Sequence, residues 1–497
     1  MGPATKGFPL ARPEDPEPGL PIKLDRCSNG EFVPPPLSSL VVEAQRRTRD
    51  GIERASRHIG MSRRSFLTTM GASAVALLAL DACSEDEASS RGERPGGRYS
   101  VPPEATTEPT LATDALGGNE FVMDVQGHLL DFDLTDATGR TDRGFWRGYP
   151  QASCGDDDPR SCFSVEHFME EIFLKSDTSL VVLSAIPLTG PDNPLSIEVM
   201  ERTRRIARVL CHDDRVLLHG QASPSFGSLD AALADMGTLV AEHPIKAWKT
   251  YTHAGGPGWF LDDHDPDDPG VGEAFLRRAV ELDRPIVCVH KGLSGGDPHA
   301  SPVDIGPAAA RHRDLAFVVY HSGFEIGVTE GPFDPQAPNG GVDRLVASLR
   351  SSAIGAGANV YAELGSTWRA LMGRPTEAAH VLGKLLLAVG EDRICWGTDS
   401  IWYGSPQDQI QAFRAFSISP ELQERHGYPA LTTARKAKIL GLNAARLYEV
   451  EPDAVPCPFS RQDLQAAREA APASFRVWGP TSRAEVRAHV AAHGGLA

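Results

Sequence analysis

Eight short runs rich in β-formers, each followed by a stretch of helical periodicity, predict an α/β chain with a parallel sheet covered by helices: a closed (β/α)8 TIM barrel. Polar residues suited to chemistry stand at the C-terminal ends of several runs, which is where such barrels gather their functional groups. The alternative, an open doubly wound sheet, would usually carry a Gly-rich fingerprint after its first strand, and here a single Gly127 stands there.

The predicted strands are 121–126, 179–186, 216–220, 246–251, 285–290, 316–321, 359–363 and 393–398. Helices are expected at 164–175, 194–210, 228–242, 270–282, 302–313, 341–352 and 375–389, with 432–448 closing the set. Ser164 and Ser228 read as helix entries, each followed by an acidic residue (Glu166, Asp230) that suits the positive end of the helix dipole. In the first strand, extended geometry persisting to His128 would turn Asp124, Gln126 and His128 to one face.

With 497 residues and 41% hydrophobic content, the chain can bury one domain of roughly 250–350 residues with appendages. The formal net charge of -17 offers no footprint for a polyanion, so no nucleic-acid partner is expected. The barrel is placed at 119–450 and a C-terminal extension at 451–497, with amphipathic helices at 460–469 and 481–493 and with Phe475, Val477 and Trp478 packed outside the barrel.

Residues 1–118 differ in texture: Pro-rich openings, a basic stretch at 46–64, one apolar run, then a Ser, Glu and Gly-rich tract. They read as leader and linker. Ser62-Arg63-Arg64-Ser65-Phe66-Leu67 precedes an apolar run at 70–80, the pattern of a Tat export signal at about 62–83, with the Tat machinery as partner. The run falls short of the ~20 apolar residues of a membrane span. Leu80-Asp81-Ala82-Cys83 resembles a bacterial lipobox, although Asp81 departs from the small or hydroxyl residue usual there. Lipidation at Cys83 would tether an exported, periplasmic or cell-surface protein to the membrane surface. A buried apolar helix with a coincidental arginine pair is the alternative, and initiation at Met61 in place of Met1 would shorten the leader.

Of the eight cysteines, Cys154 and Cys162 share one polar loop at a spacing open to a disulfide in an oxidising compartment. Cys288 and Cys395 share strand parity with His290 and Asp399 and are expected to pack as small apolar groups.

Zinc and related divalent ions take imidazole nitrogen and carboxylate oxygen, and a catalytic site needs about three protein ligands plus an open position. His128, His290 and Asp399 meet that demand from three strands. A water held there becomes a nucleophile near neutral pH. Asp399 is placed to take its proton, and His321 to polarise a substrate oxygen or act as acid and base. Singly, each has a plainer reading: a structural imidazole, or for Asp399 a helix cap.

From about 120 to 450 the chain resembles the amidohydrolase-related family of the amidohydrolase superfamily, the branch with aminocarboxymuconate-semialdehyde decarboxylase-like enzymes and metal-dependent lactonases. The resemblance rests on Asp124 to His128, Val289-His290, Tyr320-His321-Ser322-Gly323, Trp396-Gly397-Thr398-Asp399 and the closing Ile439-Leu440-Gly441-Leu442-Asn443-Ala444-Ala445-Arg446-Leu447-Tyr448. It implies a TIM barrel with one catalytic divalent ion, usually zinc, ligands at His128, His290 and Asp399, and His321 as the catalytic imidazole. The family's first strand usually carries His-x-His, and here Gln126 stands first, a neutral oxygen donor that would hold zinc less tightly or favour a metal preferring oxygen.

Lys249 ends the fourth strand, where other branches of the superfamily carboxylate a lysine. Here it is expected to bind an acidic group of the substrate or to pair with Glu363. The loops after strands one and four carry Phe132, Phe145, Trp146, Tyr149, Trp259 and Phe260, either a pocket for a cyclic substrate or ordinary rim anchors. His253, His264 and His299 are expected to be exposed. The function read from these residues is a metal-dependent hydrolase of small molecules, a metal-bound water attacking an ester, lactone or amide-like carbon. The alternatives are nonoxidative decarboxylation in the same pocket and an inactive exported binding protein, the latter because of Gln126.

Overall fold

The computed structural model describes residues 19–131, 161–189, 193–211, 215–254, 256–263, 270–336, 338, 340–452, 475 and 477–492. A short strand, β1 (Gly97–Tyr99), precedes eight barrel strands: β2 (Met123–Gly127), β3 (Leu180–Leu183), β4 (Val216–Ala222), β5 (Ile245–Tyr251), β6 (Ile286–His290), β7 (Ala316–Tyr320), β8 (Val360–Glu363) and β9 (Ile394–Cys395). These pair in parallel in the order β2 to β9. The ring closes through main-chain bonds from Val125 N to Trp396 O (3.1 Å), Asp399 N to Gln126 O (3.0 Å) and His128 N to Ser400 O (2.6 Å), and a parallel bridge between Gly127 and Ser400. The expected barrel is therefore the observed one, and each predicted strand contains or overlaps its observed counterpart.

The strand sequences explain this arrangement. Leu180–Leu183 and Ile286–His290 are buried at every residue, as a strand covered on both faces requires. Inward side chains, among them Val125, Val182, Cys288, Val318, Tyr361, Cys395 and Tyr448, fill the barrel interior. Outward ones such as Val287, Phe317 and Trp396 pack under the surrounding helices. Cys288 and Cys395 are free, buried thiols, as expected. Ser228 caps its helix, its side chain accepting from Ala231 N at 3.1 Å. The closing segment 433–447 is helical throughout, with a π turn at Lys438–Leu442.

In the first strand the pairing with β3 shifts register between Asp124 and Gly127. That irregularity breaks the period of two. Asp124 consequently leaves the face expected of it: its carboxylate accepts from Gln126 N (2.9 Å), Thr398 N (3.0 Å) and the Thr398 hydroxyl, tying β2 to the end of β9.

The stretch read as leader and linker is folded onto the barrel from residue 19 onward. Helix α1 (Ser39–His58) packs along α3 (Met70–Ser90), with the short α2 (Arg63–Leu67) between them. Leu77 and Leu80 of α3 lie fully buried in one core with Leu385, Phe413 and Phe416 of the barrel's outer layer, and Cys83 is also buried. β1 pairs antiparallel with β10 (Phe416–Ile418), and Tyr99 Oη donates to Met372 O at 2.6 Å. No helix among the described residues is long and apolar enough to cross a membrane.

At the C-terminal end, Trp478 is buried beside Trp402, whose carbonyl accepts from its backbone N–H at 2.8 Å. A helix at Arg483–Ala492 follows, near the expected 481–493, while the expected 460–469 helix lies outside the described residues. Cys162 is disulfide-bonded, and Cys154, its expected partner, lies outside the described residues.

Candidate metal centre

The strand ladder places the polar groups in layers. Tyr251 pairs in register with His290, and one layer below Lys249 pairs with Cys288, so His290 faces the barrel mouth from the last position of β6. β7 stops at Tyr320, after which His321 and Ser322 take φ of 63° and 53°; Asp399 has φ 56° and Ser366 φ 53°. Four non-glycine residues in the left-handed region at one end of the barrel mark backbone held under strain by its surroundings. For His321 those surroundings are explicit. Its N–H donates to Glu363 Oε2 (3.0 Å), its carbonyl accepts from Thr367 Oγ1 (2.9 Å), and Ser322 Oγ donates to Glu363 O (2.7 Å).

Main-chain carbonyls fix two tautomers. His321 Nδ1 lies 2.7 Å from Gly365 O and His128 Nδ1 lies 2.7 Å from Ser184 O. A carbonyl only accepts, so both Nδ1 atoms carry the proton and both Nε2 atoms present a lone pair when the rings are neutral. His128 Nε2 then sits 3.2 Å from Asp399 Oδ1. Two acceptors that close call for a positive charge beside them, a proton or a metal ion. The Gln126 amide contributes part of it, with Nε2 3.1 Å from Asp399 Oδ1 and 3.4 Å from His128 Nε2. The other Asp399 oxygen accepts from Asn29 Nδ2 at 2.8 Å and from Ser366 Oγ, which also meets the Tyr403 hydroxyl.

A second cluster adjoins the first. His290 and His321 stack edge to face with centroids 4.6 Å apart, and Glu31 Oε1 lies 3.5 Å from His290 Nδ1. Glu31, His290 and His321 each offer a ligand atom within 4.8 Å of the others. Asn29 links the clusters, since its amide also donates to Glu31 Oε2 at 2.5 Å. Among the described residues, both ring nitrogens of His290, Nε2 of His321, Gln126 Oε1 and Lys249 Nζ are buried without a hydrogen-bond partner. Orphaned imidazole nitrogens beside carboxylates fit a divalent cation.

Burial pushes the His290 pKa well below its ordinary value and that of His321 down to about 4. Both rings are thus neutral lone-pair donors at pH 7. For Asp399 burial acts to raise the pKa, but the hydrogen bond to His128, the charges of His321 and His128 and the Ser366 hydroxyl outweigh it and hold the carboxyl low. Burial, with Asp399 nearby, raises Glu31. Burial likewise raises Glu363 to about 8 against two main-chain donors and lowers Lys249 to about 8.

The structure therefore brings His128, Gln126 and Asp399 into direct contact, and His290 with His321 beside them. Asp399 caps no helix. Lys249 does not pair with Glu363: its ammonium lies between two rings, 4.2 Å from the Tyr251 centroid and 3.9 Å from that of Tyr320. Glu363 instead accepts from the backbone of His321 and Gly365 (2.5 Å). His253, expected to be exposed, is largely covered, its ring 4.8 Å from that of His290. His299 is half-buried against Phe260 and bonded to Asp297, and His264 lies outside the described residues. Trp259 is buried edge-on against Phe275 as a rim anchor, while Phe132, Phe145, Trp146 and Tyr149 lie outside the described residues.

Sequence reasoning missed Asn29, Glu31, Ser366 and Tyr403. One signal near Glu31 was available: Leu20, Ile22 and Leu24 recur at every second position, and all three are buried.

A closed (β/α)8 barrel with imidazole and carboxylate groups at the C-terminal mouth has the layout of the metal-dependent barrel enzymes. The family model described as Amidohydrolase (Amidohydro_2) matches residues 185–450, more than half of the chain, and the protein belongs to that family. The matched segment holds His290, His321, Glu363 and Asp399, while Gln126 and His128 precede it. No curated protein matches the sequence. Among solved structures, 2,6-dihydroxybenzoate decarboxylase from Rhizobium is similar at 17% identity over 67% of this chain and 99% of its own, with a TM-score of 0.38. 5-Carboxyvanillate decarboxylase LigW from Sphingomonas paucimobilis is 14% identical over 67% and 100%, TM-score 0.37. Amidohydrolase 2 from Bifidobacterium longum subsp. infantis is 13% identical over 67% and 100%, TM-score 0.34.

Proposed function

We propose that this barrel is a metal-dependent hydrolase acting on an ester, lactone or amide-like carbon of a small substrate. The observation that carries the reading is the set of buried imidazole nitrogens without partners among the described residues, both of His290 and Nε2 of His321, beside the carboxylate of Asp399. His128, His290 and Asp399 would hold one divalent ion, with zinc favoured by this mixture of nitrogen and oxygen donors. When bound, the ion supplies Lewis acidity toward a carbonyl and lowers the pKa of water.

The protein's own groups do the rest. Asp399, kept ionised, takes the proton of the attacking water. His321, its tautomer fixed by Gly365 O, presents Nε2 to the reacting centre, accepts that proton from Asp399 and delivers it to the leaving group. Lys249, buried between two tyrosines with no hydrogen-bond partner among the described residues, would receive a carboxylate of the substrate. Glu363 holds the His321 backbone and acts through it.

The same lysine favours a second reading, nonoxidative decarboxylation at the same ligands. A substrate carboxylate drawn into a site this dry disperses its charge as the carbon–carbon bond breaks and carbon dioxide leaves, and the electron pair left on the substrate carbon takes a proton from water. Purified full-length protein should contain stoichiometric divalent ion and turn over members of a panel of lactones, esters, amides and aromatic carboxylates, and His290→Ala should lose both properties. Carbon dioxide release without hydrolysis selects the second reading. A folded protein that binds no ion after supplementation would be the inactive binding protein. Export through Arg63 and Arg64, with lipidation at Cys83, is a separate proposal: replacing both arginines by lysine should trap the protein in the cytoplasm.

A further inference from the structure

Residues 20–31 cross the C-terminal mouth of the barrel, and buried bonds hold them along the way. Lys23 Nζ pairs with Asp408 Oδ1 (2.8 Å) and donates to Ser405 O (2.5 Å), and the Lys23 backbone N–H donates to Asp408 Oδ2 (2.9 Å). Arg369 Nη2 donates to Asp25 O (2.8 Å), and the Ser28 N–H donates to Pro480 O (2.9 Å). Just beyond these anchors, Asn29 and Glu31 turn into the site.

We infer that Glu31 is a ligand of the catalytic ion, supplied by this N-terminal strap in place of the donor that the first strand lacks at Gln126. The inference rests on the metal-dependent reading above and extends its ligand set to a part of the chain outside the barrel. Three observations carry it. Glu31 Oε1 is 3.5 Å from His290 Nδ1, and the Glu31, His290 and His321 donor atoms lie within 4.8 Å of one another. His290 and His321 are 1% and 0% exposed, and three of their ring nitrogens have no hydrogen-bond partner among the described residues. Gln126 is a neutral amide whose Nε2 donates to Asp399 Oδ1, so it supports that carboxylate and brings no anionic oxygen to the site.

Charge points the same way. Glu31 and Asp399 are two carboxylates joined by a single Asn29 amide. Two acidic groups so placed are stable together with a cation between or beside them. A consequence for processing follows: a chain cleaved before Cys83 lacks Glu31, so signal cleavage there and a Glu31-ligated ion exclude each other in one molecule.

The test uses full-length apoprotein titrated with zinc against a chromophoric chelator and with cobalt(II), whose visible spectrum reports the ligand set. Glu31→Gln keeps shape and removes the anionic donor. It should weaken zinc binding by at least about tenfold, by comparison with lesser changes around metal sites, and alter the cobalt spectrum. Glu31→Asp, which retains the carboxylate on a shorter arm, should fall between it and wild type and serves in its place should the glutamine variant not fold. Wild-type affinity and spectrum in a folded Glu31 variant, alongside loss of binding in His290→Ala, would overturn the inference and leave the proposed function standing. A wild-type protein that takes up neither ion would instead overturn the functional reading beneath it.

Discussion

The barrel and the N-terminal strap send side chains into the same buried space by different means. His290 stands where a continuous ladder puts it, paired with Tyr251 on one side and Tyr320 on the other. Asn29 and Glu31 stand where a few separate anchors put them, the Lys23–Asp408 pair above all. A ladder spreads its positioning over many bonds, whereas a strap concentrates it in a handful. The difference predicts that single substitutions outside the site can detach the strap's contribution while the barrel's imidazoles stay in place.

The sharpest break should come from Asp408→Ala. It strands the Lys23 ammonium, 3% exposed, without its carboxylate, a change expected to cost about 3–5 kcal/mol. Denaturant unfolding would read the loss, and metal titration of the folded fraction should show weaker binding with His128, His290 and Asp399 untouched. Next in size is Leu80→Ala. If the fully buried Leu80 side chain packs between α3 and the barrel as it does here, the cavity should cost about 2–5 kcal/mol. An unchanged unfolding midpoint would mean that α3 is not part of the folded core.

The smallest effect tests the barrel itself. Glu363 has a folded pKa raised to about 8 by burial, so the folded state holds its proton more tightly than the unfolded chain. Stability from this group is fully present below the unfolded carboxylate range and is lost as pH rises through about 8. Between pH 7 and 9 the Glu363 contribution to apoprotein stability should fall by about 1.4 kcal/mol, beside the contributions of Glu31 and Lys249, which titrate in the same range. Glu363→Gln should flatten that slope, and a slope equal to wild type would remove Glu363 as its source.

Much of the barrel and part of the site were legible. Strands buried on both faces write themselves as apolar runs, and the last residue of each run is where function collects, which is how His290, His321 and Asp399 were found. Even there the register shift in β2 escaped, because the period of two holds only while pairing is regular, and Asp124 was assigned to the wrong face. His253 was read as exposed for want of any local sign that its loop folds back over His290.

What the sequence by itself determined was therefore the periodic part: eight strands, their helices, and the imidazoles and carboxylate at the strand ends. Tertiary structure alone decided the rest. The composition of α3 does not say what it packs against; that Leu77 and Leu80 share one core with Phe413 and Phe416 is a property of the fold. Glu31 reaches His290 through anchors such as Lys23 with Asp408, separated by 385 positions, and contacts over that distance leave no periodicity in the chain.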